Sequence, residues 1–251
     1  MDPKEQFDRQ AKYYANSPTF SSGLSLDLLS KLLKNKTFSK GLDIGTGSGF
    51  TAFEISKTCS SVEGIDISTG MLDEANRIKN ERKIKNVNFR IGYAEDLDYD
   101  DESFDLITCR TSAHHFKDIE KAINEIERVI KNDGSIYMID TITSDQKILN
   151  DWHQKIETIR DKSHIKNYSL MEWKNYFEDS KLYLKEIHQT RVNMELEDWM
   201  ERSGTNKSDK NILRNEYDNA NNKIKNFFGI KKINNDFKFY WPVGLFYLEK
   251  Y

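Results

Sequence analysis

Residues 40–49 read Lys-Gly-Leu-Asp-Ile-Gly-Thr-Gly-Ser-Gly, and this stretch decides the fold of the 251-residue chain. An apolar run is followed by glycines at alternating positions, Gly45, Gly47 and Gly49. Glycine permits positive φ and lets a ligand approach the backbone without meeting a Cβ atom. Residues 51–55 resume with helical spacing, so the free N–H groups of a helix start face the loop. A strand, a glycine loop and a helix in this order indicate a nucleotide-type cofactor site in a doubly wound sheet.

A second short strand ends in a carboxylate. Residues 61–66 read Ser-Val-Glu-Gly-Ile-Asp, which places Asp66 about 20 residues past the first glycine of the loop. An acidic side chain at that spacing accepts hydrogen bonds from ribose hydroxyls. The other interpretation is that Asp66 caps the helix that follows Ser68. The spacing favours the ribose role.

Four ordered motifs carry a family resemblance. They read Leu-Asp-Ile-Gly-Thr-Gly-Ser-Gly at 42–49, Gly-Ile-Asp-Ile-Ser at 64–68, Ala-Glu-Asp-Leu at 94–97 and Asp-Glu-Ser-Phe-Asp at 101–105. Over about residues 7–140 the chain resembles the class I S-adenosylmethionine-dependent methyltransferases. Within them it is most similar to the branch related to ubiquinone/menaquinone biosynthesis (methyltransferase type 11). The resemblance implies S-adenosyl-L-methionine as cofactor, S-adenosyl-L-homocysteine as product and a Rossmann-like methyltransferase fold.

The resemblance also assigns residues to the cofactor. It places a Phe-Asp-x-x-Ala-x-x-Tyr helix over the cofactor, with Tyr14 at the methionine end, and it sets Ala94 and Glu95 at the adenine edge. Met71 either packs against the adenine face or fills the core. Arg110 either pairs with the cofactor carboxylate or ties its loop to a neighbouring acid. The predicted cofactor site is Tyr14, Asp43, Gly45, Thr46, Gly47, Gly49, Asp66, Ile67, Met71, Tyr93, Ala94, Glu95 and Arg110.

Two adjacent histidines follow the fourth predicted strand, in Ala-His-His-Phe at 113–116. The resembled family often carries this sequence where the methyl group points. Histidine is the commonest general base at neutral pH. The other interpretation is that one histidine caps the next helix while the other holds the loop. We favour His115 over His114 as the residue facing the site, with positioning as its main role. No Asp, Glu or Cys is spaced to make the pair a metal site.

The alternation of strand and helix patterns predicts an α/β fold. After the glycine loop this alternation indicates right-handed βαβ units and a mostly parallel sheet. We predict a doubly wound, mostly parallel, seven-stranded sheet with helices on both faces. Ligands in such sheets bind outside the carboxyl ends of the strands. The later predicted strands cover residues 62–65, 87–91, 104–109 and 135–140, and the helices cover 7–15, 24–33, 68–82 and 119–130.

The C-terminal part of the chain differs in composition. Residues 141–235 are rich in Lys, Asn, Asp and Glu, and their charges indicate a solvated face. This region shows a strand pattern over 183–192 and a long polar helix over 207–228. The resemblance implies that it forms a helical cap inserted after the fifth strand. It also implies that residues 236–251 form an antiparallel strand at the sheet edge, where Pro242 is tolerated.

The composition of the whole chain limits its domain organisation and partners. No linker separates the cofactor-binding core at about 7–140 from the rest, so we predict one domain over 1–251. The net charge of −3 does not suggest nucleic acid or an anionic membrane as a partner. The sequence has no apolar run of membrane-spanning length and no signal-peptide pattern. Cys59 and Cys109 form no metal or redox motif, so we expect a cytoplasmic protein.

Three functions are compatible with the cofactor motifs. The first is methylation of a small-molecule acceptor by direct in-line transfer from S-adenosyl-L-methionine. The second is cofactor binding without catalysis. The third is a nicotinamide-dependent oxidoreductase. The loop spacing G-x-G-x-G brings the third glycine one residue early for that last class, and no Tyr-x-x-x-Lys motif is present. The methyltransferase is therefore the favoured function.

Overall fold

The computed structural model describes residues 3–250 of the chain, without the side chain of Thr19. Met1, Asp2 and Tyr251, which the single-domain prediction includes, lie outside the described residues. The strands found there are β1 (Phe38–Ile44), β2 (Cys59–Asp66), β3 (Val87–Ile91), β4 (Phe104–Arg110), β5 (Ile130–Thr143), β6 (Tyr168–Ser169), β7 (Leu182–Glu195), β8 (Lys231–Ile233) and β9 (Asp236–Lys250). Among residues 3–250, no helix is both long and apolar enough to cross a bilayer.

Three of the helices precede β1, and the others lie between the strands. A single 3-10 turn at Ala113–His115 follows β4 and carries the two histidines. The α-helices are α1 (Pro3–Asn16), α2 (Pro18–Ser21), α3 (Leu24–Leu33), α4 (Phe50–Ile55), α5 (Thr69–Glu81), α6 (Ile119–Val129), α7 (Lys147–Arg160), α8 (Leu170–Glu178), α9 (Leu196–Arg202), α10 (Lys207–Asp218) and α11 (Asn222–Phe228).

Seven of the strands pair side by side in the order β3-β2-β1-β4-β5-β9-β7. The pairs among β3, β2, β1, β4 and β5 are parallel, and β9 is antiparallel to both β5 and β7. Short strands β6 and β8 pair with β5 and β9 outside this order. The prediction of a mostly parallel sheet with seven consecutive strands is confirmed.

Helices cover both faces of the sheet. Successive strand side chains point to opposite faces, and β5 shows this directly. Ile136 and Met138 pack in one cluster with α6 and α8, whereas Tyr137 and Ile139 pack in another with α3, α4 and α5. The doubly wound arrangement is therefore confirmed.

The C-terminal strand does not lie at the sheet edge, and that prediction was wrong. β9 lies between β5 and β7, and β7 forms the edge. Pairing of β9 with β5 ends at Val243, so Pro242 lies just beyond that ladder. A residue without an N–H group is tolerated there even though the strand is interior.

The region after β5 contributes to both the sheet and a helical cap. α8 packs on the sheet and β7 extends it, so the cap consists of α7, α9, α10 and α11. The long helix predicted over 207–228 is two helices, because the Asn221 side chain accepts from Ile224 N and starts α11. The cap has its own aromatic core, which we call the cap cluster. Its large members are Trp152, Trp199, Tyr217, Phe228, Phe237, Phe239 and Trp241.

Candidate active site

The glycine loop joins β1 to α4 with three residues in the left-handed region. Gly45, Gly47 and Gly49 have φ of +63°, +52° and +85°. A Cβ at Gly45 would lie 2.4 Å from Ser112 Oγ, so that position excludes any larger residue. A Cβ at Gly47 would meet no atom of the described residues within 4 Å. The backbone at Gly47 is therefore open to a ligand on its cavity side.

Asp66 closes the loop from the end of β2. Its Oδ2 accepts from Gly47 N at 2.8 Å and its Oδ1 accepts from Ser68 N at 2.9 Å. The N-cap of α5 is Ser68, whose hydroxyl accepts from Met71 N at 3.1 Å. Burial raises the pKa of Asp66 to about 6, although the two backbone hydrogen bonds favour its ionised form.

A cavity of about 530 Å³ lies at the carboxyl ends of β1, β2 and β4. This volume is in the range of pockets that hold a cofactor-sized ligand, roughly 300–1,000 Å³. Most of the predicted cofactor residues lie in its wall. They are Tyr14, Gly45, Thr46, Gly47, Asp66, Ile67, Met71, Tyr93, Ala94, Glu95 and Arg110.

Two predicted cofactor residues lie outside this wall. Asp43 is 1% exposed and accepts from the hydroxyls of Thr46 at 2.6 Å and Thr108 at 2.7 Å, so it holds the loop from behind. Burial raises its pKa to about 6. Gly49 is the N-cap of α4, and a Cβ there would lie 2.7 Å from the Phe89 ring. Both residues shape the loop, and the structure does not bring either to the cavity surface.

The far wall of the cavity follows β3. Ala94 is buried, whereas Tyr93 is 52% exposed at the rim. Glu95 Oε1 accepts from Lys117 N at 2.8 Å, which holds the segment before α6. Met71 is buried, with Ser48 Oγ 3.8 Å from its sulfur. The wall thus combines apolar surface with a carboxylate at one edge.

Arg110 ties three elements together at the end of β4. Its Nε donates to Thr51 Oγ1 and its Nη2 donates to the Phe20 carbonyl oxygen, both at 2.8 Å. The predicted tie therefore exists, but it runs to a hydroxyl and a carbonyl rather than to an acid. The next residue, Thr111, has φ of +57° and also lies in the cavity wall. Positive φ at a β-branched residue stores strain of the kind found at functional sites.

Helix α1 covers the cavity. Asp8 Oδ1 accepts from Ser68 Oγ at 2.6 Å and from Gly70 N at 2.9 Å, which attaches α1 to the start of α5. The Phe7 ring lies edge-on to both Tyr14 and His115, with ring centroids 5.7 and 4.9 Å apart. An aromatic layer from α1 therefore separates the cavity from solvent on this side.

His114 is held by a carboxylate. Its Nδ1 lies 2.6 Å from Asp140 Oδ1, and its backbone N–H donates to Asp140 Oδ2 at 3.1 Å. Burial opposes the charged ring, but the charge and hydrogen bond of Asp140 outweigh burial and hold the pKa of His114 above its ordinary value. His114 does not lie in the wall of the 530 Å³ cavity, which is consistent with a role in holding the loop.

His115 lies in the cavity wall and has different partners. Its Nδ1 is 3.1 Å from the Ser163 carbonyl oxygen, which only accepts, so Nδ1 carries the ring hydrogen and donates. Burial, reinforced by the charge of His114, lowers the pKa of His115 to about 4. The ring is therefore neutral at pH 7, and Nε2 carries the lone pair.

A second chamber of about 70 Å³ adjoins the cavity. The two share wall residues, including Tyr14, Arg110 and His115. Arg160 of α7 and Arg202 of α9 also line this chamber, and the sequence does not predict their place there because both helices lack a motif. The sequence predicts a solvated face for the charges of this region. That prediction is wrong for these two side chains, which are 9% and 4% exposed.

Comparison with known proteins defines the class of protein. The family described as Methyltransferase domain matches residues 42–138. The uncharacterized methyltransferase YcgJ of Bacillus subtilis is 33% identical over 205 residues, which cover 82% of this chain and 81% of that protein. The chain belongs to the class I S-adenosylmethionine-dependent methyltransferases, in the type 11 branch, as its motifs predict.

Three proteins of known name or structure show how far the likeness extends. The crystal structure of YcgJ has a TM-score of 0.85 at 31% identity, covering 90% of this chain and 97% of that chain. The demethylmenaquinone methyltransferase of Chlorobaculum tepidum is 32% identical over 111 residues, 44% of each protein. A geranyl diphosphate C-methyltransferase of Streptomyces coelicolor, crystallised with Mg²⁺, geranyl diphosphate and S-adenosyl-L-homocysteine, has a TM-score of 0.63 at 16% identity, covering 90% of this chain and 78% of that one. This last likeness concerns the fold alone.

Proposed function

We propose that the protein transfers a methyl group from S-adenosyl-L-methionine directly to a small-molecule acceptor and releases S-adenosyl-L-homocysteine. The observation that carries the proposal is the 530 Å³ cavity, in which the open backbone at Gly47 faces the same space as Asp66. Membership of the methyltransferase class supports the cofactor, as does the S-adenosyl-L-homocysteine in the C-methyltransferase of the same fold. The acceptor is taken to be small because α1 covers the cavity and the adjoining chamber is narrow.

The residues of the cavity fit the proposed cofactor. Asp66 uses one lone pair on each oxygen within the chain, so each oxygen keeps a further lone pair for a ribose hydroxyl. The backbone at Gly45 and Gly47 admits close approach, and Ile67 and Met71 present apolar surface to an adenine ring. Ala94 and Glu95 edge that ring in this proposal.

The other end of the cavity belongs to the methionine part of the cofactor in this proposal. Tyr14 and Arg110 lie there, where the cavity meets the second chamber. When bound, the cofactor supplies a methyl group on a positively charged sulfur, and the electron pair of the broken carbon–sulfur bond stays on that sulfur. The protein's contribution is alignment of the acceptor, which alone supplies up to about 7–11 kcal/mol of a barrier.

His115 is the side chain we propose for handling the acceptor's proton. Its ring is fixed by the Ser163 carbonyl, and within residues 3–250 its Nε2 makes no hydrogen bond. A neutral imidazole with a fixed tautomer orients an acceptor O–H or N–H by accepting from it, and takes the proton if one must leave. His114 then positions the loop through Asp140.

Calorimetric titration with S-adenosyl-L-homocysteine tests the proposal, with NAD as the parallel control. We expect saturable binding of the first ligand alone, followed by turnover in a screen of small-molecule acceptors. Preference for NAD, or no binding of S-adenosyl-L-homocysteine, would contradict the cofactor assignment. Binding without turnover across the screen would indicate a cofactor-binding protein that does not catalyse.

A further inference from the structure

The wall of the second chamber carries three arginines, of which Arg202 is buried and the other two are half-buried. Arg110, Arg160 and Arg202 all line it, and these residues come from β4, α7 and α9. Arginine is rarely buried unless a carboxylate, phosphate or carbonyl accepts from it. The hydrogen bonds of each guanidinium therefore indicate whether the chamber serves the fold or a ligand.

Arg202 has weak partners for a buried guanidinium. The residue is 3% exposed. It donates to Ser17 Oγ at 3.4 Å and to the sulfur of Met194 at 3.7 Å, both long contacts to weak acceptors. Asp198 Oδ2 lies 3.1 Å from its Nε but is not aligned for a hydrogen bond, and within residues 3–250 that Nε is unsatisfied. Leaving such a donor unpaired lowers stability.

Arg160 stands close to Arg202 and repels it. Arg160 Nε donates to the Trp199 carbonyl oxygen at 3.2 Å. Its Nη1 lies 3.8 Å from Glu157 Oε2 and 3.9 Å from Asp161 Oδ2, beyond hydrogen-bond distance. Burial, and then the charge of Arg160, lowers the pKa of Arg202. Glu157 and Asp161, which face Arg160, are buried, whereas the carboxylate nearest to Arg202 is that of Asp198, which is 63% exposed. Arg202 is therefore the guanidinium that has no buried carboxylate of its own.

We propose that the second chamber binds an anionic group of the methyl acceptor, a carboxylate or a phosphate, between Arg202 and Arg160. The proposal rests on the proposed function and names the substrate class of the same site. A guanidinium presents a planar fork that matches both oxyanions and holds them in a fixed orientation. An acceptor held in this way extends from the chamber towards His115, which lies in the walls of both cavities.

Thermal unfolding of the protein saturated with S-adenosyl-L-homocysteine tests this binding. Phosphate, malonate and chloride are compared at equal ionic strength. We expect the Tm to rise with a saturable dependence on phosphate or malonate, because a ligand that binds only the folded state stabilises it by mass action. In Arg202→Met we expect the saturable rise of the Tm to disappear. Only the gradual rise should remain, which salts excluded from the protein surface cause in any protein.

The Tm of Arg202→Met without added oxyanion separates ligand binding from a structural role. If Arg202 serves a ligand, the apolar replacement melts at the same temperature as the wild type or higher. Arg202→Lys keeps the charge but loses the fork, and we expect it to weaken the anion effect about tenfold. The matched control is Arg214→Met, at a half-exposed arginine that pairs with Glu197 outside the chamber, and we expect this variant to retain the saturable effect.

In the thermal-unfolding experiment, three results would overturn the proposal. They are no saturable effect of either oxyanion on the wild type, an unchanged effect in Arg202→Met, and an effect in Arg202→Lys equal to that of the wild type. Calorimetry with S-adenosyl-L-homocysteine accompanies every sample. If that ligand binds and the oxyanions do not, this inference fails and the proposed function stands. If that ligand does not bind, the proposed function fails.

Turnover gives a second readout. In the acceptor screen, each carboxylate is paired with its uncharged amide, which has nearly the same shape. We expect kcat/KM for the carboxylate to exceed that for the amide by about tenfold or more, and Arg202→Met to remove this preference. Equal turnover of the two members would overturn the proposal, and so would a preference for amines, which would bind Glu157 instead.

Discussion

The two adjoining cavities differ in how their polar groups are satisfied. At the glycine loop, the side chains of Asp43 and Thr46 bond to each other, and Asp66 accepts from Gly47 N and Ser68 N. In the second chamber, Arg202 donates only to a distant hydroxyl and a thioether. A site that is complete within the chain is rigid before any ligand arrives. A site with unsatisfied buried charge lowers stability, and the anion that we propose for the second chamber would offset that loss.

The two cavities also rest on different supports. The larger one lies on the parallel strands, whose side chains pack against helices on both faces of the sheet. The second chamber is closed by α7 and α9, which pack in the cap cluster. Only the carboxyl-terminal half of β9 runs in the sheet beside β5, while its first half packs in the cap cluster. Damage to the cap cluster should therefore affect the second chamber more than the larger cavity.

The largest expected effect comes from the cap cluster. Phe228 is fully buried, and its ring centroid lies 5.2 Å from that of Trp152 and 5.1 Å from that of Trp241. Phe228→Ala should lower the free energy of unfolding by about 3–5 kcal/mol, because a large aromatic side chain leaves a cavity. Chemical denaturation followed by tryptophan fluorescence measures this loss.

The neighbouring half-buried Phe227 is the matched control, and Phe227→Ala should have a clearly smaller effect. At a temperature where Phe228→Ala stays folded, its affinity for S-adenosyl-L-homocysteine should remain close to that of the wild type. If Phe228→Ala lost cofactor affinity together with stability, the structure of the larger cavity would depend on the packing of the cap cluster.

The second effect concerns the residue at the junction of the cavities. His115→Ala should lower turnover by about 100-fold, the lower end of what a positioned acid–base group contributes, and leave S-adenosyl-L-homocysteine affinity nearly unchanged. Rapid kinetics with an identified acceptor measures the first quantity and calorimetry the second. Equal losses in both would make His115 a structural loop residue.

The same residue predicts a dependence of stability on pH. The unfolded chain protonates His115 near its ordinary pKa of 6.5, whereas burial lowers the folded pKa to about 4. Between these values the unfolded state holds more protons, so this residue makes stability fall as the pH falls from 6.5 to 4. The wild type should lose more stability over that interval than His115→Ala, in denaturation curves measured at each pH.

The third effect belongs to the larger cavity. Asp66→Ala should weaken S-adenosyl-L-homocysteine binding by about 1.5–3 kcal/mol, because hydrogen bonds to a charged group are lost. Since burial raises the pKa of Asp66 to about 6, wild-type affinity should also fall as the pH drops below that value. In Asp66→Asn the affinity should be weak and should fall less steeply with pH, because only Asp43 behind the loop, whose pKa is also raised to about 6, still titrates in this range. Calorimetric titrations at several pH values measure these affinities. Unchanged affinity in Asp66→Ala would show that Asp66 does not bind the ribose.

The fold could be predicted from sequence because its signals are local. The glycine loop and Asp66 each lie within one short segment, and strand and helix periods alternate after them. The same holds for Met71, in the first turn of α5, and for Ala94 and Glu95, in the loop after β3, which all lie in the cavity wall. Such local patterns do not show the order in which strands distant in sequence lie in the sheet. The position of β9 inside the sheet depends on pairing with β5 and β7, which its own sequence does not encode visibly.

The second chamber could not be predicted for a related reason. Arg160 and Arg202 lie on helices whose charged residues are mostly exposed, and nothing in their spacing distinguishes a buried arginine from a solvated one. They meet because α7 and α9 pack in the cap cluster around the first half of β9. Asp43 and Gly49 show the opposite case. Both belong to the motif, but the motif needs them for the shape of the loop, and they do not reach the cavity surface.

The smallest expected effect tests whether α1 is a cover for the larger cavity or a fixed part of it. Asp8 joins α1 to α5 through Ser68 Oγ and Gly70 N, near the surface. Asp8→Ala should lower stability by only about 0.5–1.5 kcal/mol, the range for hydrogen bonds partly replaced by water. If α1 is a cover, the dissociation rate of S-adenosyl-L-homocysteine, measured by stopped flow, should be several-fold higher in Asp8→Ala than in the wild type. The control is Glu5→Ala, a change at an exposed residue of the same helix, which should leave the rate unaltered. An unchanged rate in Asp8→Ala would mean that the aromatic contacts of Phe7 and Tyr14 hold α1 in place without this carboxylate, and the ligand would then have to leave by another side of the cavity.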